Sequence, residues 1–187
     1  MGFAPRRLRA VYLTVVTLAL LPVTAMASSV TGTIGAGTLA FVSVPGNVTF
    51  SVTLSGVDQT VTTTLPLDVG DSTGSGIGWN VTATSTTFTT GGGSPHTLPA
   101  AATAVKTAPT TGCDIGATCL LATDGVSYPY SLPAGTTAPT ATKLFTAVAG
   151  TGLGNQTVTT TFTISIPANT YAGSYTSTWT FSLVAGP

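Results

Sequence analysis

The chain has 187 residues, and 5% of them are charged, against about a quarter in ordinary soluble domains. Five basic residues balance five acidic ones, which are all aspartates, so the formal net charge is zero. Such a chain has no basic patch with which to bind nucleic acid or an anionic membrane surface, and we exclude both as partners.

The N-terminal residues have the pattern of an export signal. Three arginines lie within residues 6–9, an apolar run covers residues 10–21, and residues 25–27 read Ala-Met-Ala, which signal peptidase accepts. The apolar run is too short to span a bilayer comfortably. We therefore expect residues 1–27 to be a signal peptide and residues 28–187 to be one secreted domain without a transmembrane segment.

Alternation of apolar and polar residues dominates the remaining chain. In the run that begins at Val48, every second residue up to Leu54 is apolar, and the residues between are Thr or Ser. Residues 157–166 alternate in the same way, with threonines on one face. This period of two is typical of half-buried antiparallel strands. Turn residues recur about every ten positions, which predicts an all-β fold, an antiparallel β-sandwich or a related barrel.

The middle of the chain is less regular. Residues 99–139 are rich in Ala, Thr and Pro and predict a long excursion with short strands around 119–122 and 128–132. Cys113 and Cys119 are the two cysteines of the chain. In an exported protein this spacing favours a short-range disulfide that closes one loop.

The sequence offers few side chains for catalysis. Its one histidine, His96, lies in a loop of Gly, Ser and Pro, and no glutamate is present. General acid–base catalysis needs two positioned titratable groups, and zinc needs a larger ligand set than this chain provides. We expect no enzymatic activity, no catalytic residue, no metal and no cofactor. Asp68 and Asp71 could ligate calcium, but carboxylates that begin a turn are the favoured interpretation.

Two tryptophans, Trp79 and Trp179, each begin a Trp-x-apolar triplet. Residues 67–81 lead from an aspartate through a glycine-rich loop into the first triplet, and residues 172–187 lead from Gly-x-Tyr into the second and end in Pro. The two stretches resemble the two signatures of the WxL domain family of Gram-positive cell-wall surface proteins.

The resemblance covers essentially all of the mature chain, from about Val30 to Pro187, but the sequence departs from the family at the leucine of both motifs. Val81 and Phe181 stand there instead, and both keep an apolar residue at that position. Family membership implies non-covalent attachment to the peptidoglycan of the cell wall, and work alongside companion membrane-anchored surface proteins. The implied location is the extracellular surface.

Alternation bears on the role of the motif residues Trp79, Val81, Trp179 and Phe181, which are the candidate binding residues. Both tryptophans fall on the apolar faces of their strands, which favours packing in the core with a partner for each indole N–H. A platform for a sugar ring or for an apolar patch of a partner remains the alternative. Wall binding is the leading hypothesis for function. Docking onto a companion surface protein, and adhesion to an external glycan or matrix protein, are the alternatives.

Overall fold

The structure is a computed structural model that describes residues 29–187, and the expected signal peptide, residues 1–27, lies outside the described part. The strands of the described residues lie in one compact unit, Gly35–Pro187. Within residues 29–187 there is no helix of the length and apolar character that crossing a membrane requires.

The unit contains ten strands. In chain order they are β1 (Leu39–Phe41), β2 (Gln59–Asp71), β3 (Trp79–Thr86), β4 (Thr103–Val105), β5 (Thr110–Cys113), β6 (Tyr130–Ser131), β7 (Ala134–Gly135), β8 (Thr142–Ala147), β9 (Gly154–Ile166) and β10 (Trp179–Ala185).

The strands form two sheets. Sheet A has the order β1-β2-β9-β4-β6, with β5 also paired to β9, and sheet B has the order β10-β3-β7, with β8 also paired to β3. The pairs are antiparallel except for the short contact between β3 and β7. The predicted all-β, antiparallel β-sandwich is confirmed.

The core lies between the inner faces of the two sheets. The long strands β2 and β9 pair over their whole length and supply the inward residues Leu67 and Phe162, both fully buried. Sheet B supplies Trp79 and Phe145, whose rings lie 5.5 Å apart. Burying a large apolar side chain contributes about 1.5–3 kcal/mol, so this layer holds the sandwich together.

Three of the predicted strands are present. The alternating run 157–166 lies within β9, and the two tryptophan segments form β3 and β10. The predicted strand at 128–132 is reduced to β6, whereas residues 119–122 form no strand.

The predicted strand at Val48 is wrong, because residues 44–58 belong to no strand. β1 follows β2 up to Val42, whose N–H donates to the carbonyl of Asp68 at 2.9 Å. The next position on that edge of β2 is Pro66, which has no N–H to donate. The chain therefore leaves β2 at that point. Among the described residues, segment 44–57 makes no backbone–backbone hydrogen bond.

Both faces of β3 are covered, although only one is apolar. Asn80 and Thr84 point away from the core, yet they are buried. The Asn80 side chain donates to the carbonyl of Gly186, and Thr84 donates to that of Pro139. The C-terminal residues and the loop before β8 thus cover the outer side of this strand.

A polar group in the core lacks a hydrogen-bond partner. Thr160 of β9 is fully buried, and its hydroxyl has no hydrogen-bond partner among the described residues. A buried hydroxyl without a partner costs about 1–3 kcal/mol. We expect Thr160→Val, which replaces the hydroxyl by a methyl group of similar size, to raise the free energy of unfolding by about 1 kcal/mol. Urea unfolding measures this, with the half-exposed neighbour Thr159→Val as the control that should change little. A less stable Thr160→Val variant would contradict the assignment.

Candidate functional site

The two tryptophan motifs lie in different environments. Trp79 and Val81 are fully buried, and the indole N–H of Trp79 donates to the carbonyl of Gly152 at 2.9 Å. At that approach Gly152 has φ +83°, and a Cβ atom there would lie 2.6 Å from the indole nitrogen. The site around Trp79 is thus closed by backbone and has no room for a ligand.

Trp179 and Phe181 are half-buried on β10 and line an open groove between β10 and the loose segment 44–54. The groove has a volume of about 1470 Å³, and its walls combine apolar side chains with Thr and Ser residues. The ring of Trp179 packs at 4.6 Å from that of the buried Phe162. The sequence-predicted binding residues are therefore divided between the core and this groove.

A second surface is the outer face of sheet A, where threonines of neighbouring strands stand side by side. Thr64 of β2 pairs with Thr161 of β9, and Thr110 of β5 pairs with Thr159 of β9. Cross-strand partners point to the same side of a sheet. We call this surface the hydroxyl face; it comprises Thr60, Thr62, Thr64, Thr110, Thr157, Thr159, Thr161 and Ser165.

Most hydroxyl groups of this face are available to a ligand. That of Thr157 donates to Asp114 Oδ1 at 2.9 Å, and the others have no side-chain partner within the described part of the chain. A threonine hydroxyl is one donor and two acceptors, so the face presents a neutral surface of free donors and acceptors.

The hydroxyl face has a concavity where β5 meets β9. It has a volume of about 500 Å³ and is bounded by Thr110, Thr157, Thr159, Asp114 and the exposed Ile115. A concave surface that combines a few convergent polar groups with an apolar side chain is the usual form of a small-ligand site. The loop that supplies Asp114 and Ile115 is closed by the disulfide between Cys113 and Cys119, whose Cα atoms are 5.5 Å apart.

A carboxyl pair lies beside this concavity. The carboxyl group of Asp68 faces that of Asp114, and Oδ1 of Asp68 is buried without a partner among the described residues. Two carboxylates cannot donate to each other, but a protonated one can. Burial, the hydrogen bond with Asp114 and the charge of Asp114 all raise the pKa of Asp68 above its ordinary value of 3.8.

This pair makes the stability of the fold depend on pH. A raised pKa means that the folded chain binds the proton more tightly than the unfolded chain does. The contribution of Asp68 is therefore fully present below pH 3.8 and is lost as the pH rises through the higher pKa of the folded state. We expect Asp68→Asn, whose amide donates to Asp114 at every pH, to raise the melting temperature at neutral pH.

The measurement is thermal unfolding of the wild type and of Asp68→Asn across the acidic range. The variant should show a smaller fall in stability with rising pH than the wild type. Asp58→Asn is the control, because Asp58 accepts from the backbone N–H of Ala168 and faces no carboxylate partner in that bond. Equal pH dependence in Asp68→Asn and the wild type would contradict the shared proton.

The structure does not bring Asp68 and Asp71 together. They are three residues apart on β2 and so point to opposite faces of the sheet. Asp71 accepts from the backbone N–H of Thr73 at 3.0 Å and from its hydroxyl at 2.6 Å, which confirms the turn interpretation for this residue. Within residues 29–187, no group of three or more His, Cys, Asp or Glu side chains is arranged to hold a metal ion.

His96 lies beside Tyr171, which lines the groove. Its ring stacks on that of Tyr171, with ring centres 3.9 Å apart.

Sequence reasoning identified the threonine side of β9, but it missed the concavity beside it. The missing information was the pairing, because Asp114 and Thr110 reach the face only through the contact of β5 with β9.

Comparisons of the chain with family models, with curated proteins and with solved structures found no match.

Proposed function

We propose that the protein is a non-catalytic, exported cell-surface protein that associates non-covalently with peptidoglycan through the hydroxyl face. The observation that carries the proposal is the concavity beside β5, where the free hydroxyl groups of Thr110 and Thr159 lie near the Asp114 carboxyl group. Glycan chains present many hydroxyl and amide groups, which pair with such donors and acceptors. The resemblance to wall-binding surface proteins supports the same ligand class.

The carboxyl pair supports binding rather than hydrolysis of a glycan. Two carboxyl groups that hydrolyse a glycosidic bond flank it and stand about 5 Å or more apart. The carboxyl group of Asp114 is instead close enough to Asp68 to raise its pKa. Asp114 also accepts a hydrogen bond from Thr157, so its role in this proposal is to orient that hydroxyl group.

Incubation of the exported protein with purified sacculi, followed by sedimentation, tests the proposal. We expect the wild type to sediment with the sacculi and the double variant Thr110→Val/Thr159→Val to bind about tenfold more weakly, since each lost hydrogen bond costs about 0.5–1.5 kcal/mol. Valine suits a strand and fits the space of threonine, so the variant should fold.

The matched control is Thr136→Val/Thr140→Val, which removes two hydroxyl groups from the exposed loop before β8. It should sediment as the wild type does. Wild-type protein that stays in the supernatant would overturn wall binding. Equal binding by both double variants would overturn the assignment to the hydroxyl face.

A further inference from the structure

The groove beside β10 is bordered by backbone that lacks a neighbouring strand. The backbone N–H of Thr86 donates to the carbonyl of Thr178, and the backbone N–H of Gly186 donates to the carbonyl of Gly78. The even-numbered residues of β10 therefore bond to β3. In an antiparallel pair the bonding direction alternates along the strand. The backbone N–H and C=O groups of Trp179 and Phe181 therefore point to the other side, toward the groove.

The segment on the opposite side of the groove also has backbone groups without backbone partners. Residues 44–54 make no backbone–backbone hydrogen bond within the described part of the chain. Val48 and Phe50 reach down to the core, whereas Val52 and Leu54 remain exposed along the groove. The sandwich thus has space between its sheets for one more strand at this edge.

The edge strand β10 has no charged residue and no proline, two features that usually prevent strand addition. Proteins protect exposed edges with charged side chains, with proline or with a covering element. No charged residue occurs in segment 44–54 or in residues 170–187. An incoming strand would meet apolar side chains below and unpaired backbone at its side.

The chain itself contains a segment that fits this space. Residues Ser29–Ile34 form no strand, and we call them the arm. Val30 and Ile34 share one face of the arm and are 96% and 100% exposed, with Gly32 between them, while Thr31 and Thr33 lie on the other face.

The arm also matches the groove in its length and in its lack of charge. Six extended residues span about 20 Å at ~3.3 Å each, which is the reach of β10 and its approach from Tyr175 to Phe181. Like the groove, the arm has no charged residue. Its apolar face would fill the space between the sheets, and its backbone would pair with the free edge of β10.

We propose that the groove of one copy of this protein receives the arm of a second copy, which adds as a strand along β10. This is strand addition to an exposed sheet edge, in which backbone hydrogen bonds supply affinity and alternate side chains supply specificity. The contact is heterologous, because arm and groove are different surfaces, so it joins copies head to tail. It uses a surface separate from the hydroxyl face and does not depend on wall binding.

The test is the mass of the exported protein in solution, measured by sedimentation over a range of concentrations. We expect the wild type to form head-to-tail assemblies that grow with concentration. Val30→Asp/Ile34→Asp places charges on the inserted face and should remain a monomer with an unchanged melting temperature. Thr31→Asp/Thr33→Asp adds the same charges to the opposite face of the arm and should assemble nearly as the wild type does.

A mixing experiment distinguishes arm insertion from nonspecific association. Val52→Asp, or Leu54→Asp as a second choice, blocks the groove at an exposed position and leaves the arm intact. Each blocked variant should be monomeric alone. An equimolar mixture of the groove variant with Val30→Asp/Ile34→Asp, which has an intact groove, should form a one-to-one dimer and nothing larger.

Several results would overturn the proposal. They are a wild type that is monomeric at every concentration, assembly by Val30→Asp/Ile34→Asp equal to that of the wild type, or a mixture that forms no dimer. A lower melting temperature of the arm variant without a change in mass would show instead that the arm fills the groove of its own chain.

Discussion

Replacing Trp79 by alanine should lower the free energy of unfolding by about 3–5 kcal/mol, the range for removing a large aromatic side chain from a core. Trp79 has no exposed surface and lies against Phe145 at the centre of the sandwich. The substitution also leaves the carbonyl of Gly152 without its indole donor, which adds the cost of an unpaired buried acceptor. Urea unfolding monitored by circular dichroism measures the loss.

The matched control is Trp179→Ala. Trp179 is half-exposed in the groove, and among the described residues its indole N–H has no hydrogen-bond partner. Its ring is tilted against that of Phe162 and meets that of Phe88 edge to face, but it is only partly buried, so we expect a smaller loss of about 1–3 kcal/mol. Equal losses for the two variants would contradict the assignment of one tryptophan to the core and the other to the groove.

The difference between the two tryptophans shows what a sequence pattern can predict. Period-two alternation identified β9, β3 and β10, because each carries its apolar residues on a single face. It placed Trp79 and Trp179 on apolar faces correctly. It could not tell that one apolar face lies under a complete sheet and the other at an open edge, because that depends on which strands are neighbours.

The prediction of a strand at Val48 is wrong for a similar reason. Its residues alternate as regularly as those of β9, but alternation does not report whether a neighbour can donate hydrogen bonds. Pro66 lies on the adjacent edge and cannot. The carboxyl pair escaped prediction for a related reason: Asp68 and Asp114 are far apart in sequence and meet only because β5 pairs with β9 next to β2.

The irregular stretch before β8 depends on one carboxylate. Asp124 Oδ1 accepts from the backbone N–H of Val126 at 3.0 Å and from that of Thr146 at 3.1 Å, and Oδ2 accepts from the hydroxyl of Tyr128 at 2.6 Å. These bonds fasten a segment without regular structure of its own to β8. These bonds could not be predicted from a local sequence pattern.

Asp124→Ala should therefore lower the free energy of unfolding by about 2–4 kcal/mol, since hydrogen bonds to a charged group contribute about 1.5–3 kcal/mol each and do not add fully. Tyr128→Phe is the control. It removes the phenol hydroxyl, which lies 2.6 Å from Oδ2 of Asp124 and 2.8 Å from the carbonyl of Leu144, and keeps both backbone bonds to Oδ1. Because the hydroxyl has one proton to donate, the loss should be near 1 kcal/mol, about that of a single hydrogen bond.

A tyrosine titration separates this network from simple packing. Burial, the hydrogen bond to Asp124 and its negative charge raise the pKa of Tyr128 above its ordinary value of 10.0. In Asp124→Ala the last two causes are absent, so the Tyr128 phenol should lose its proton at lower pH than in the wild type. An Asp124→Ala protein with wild-type stability and an unchanged tyrosine titration would show that the carboxylate holds neither the tyrosine nor β8. The segment would then be fastened by the backbone bond from Gly125 to Thr146, the backbone bond from Val148 to Thr123, and the packing of Tyr128 against the core.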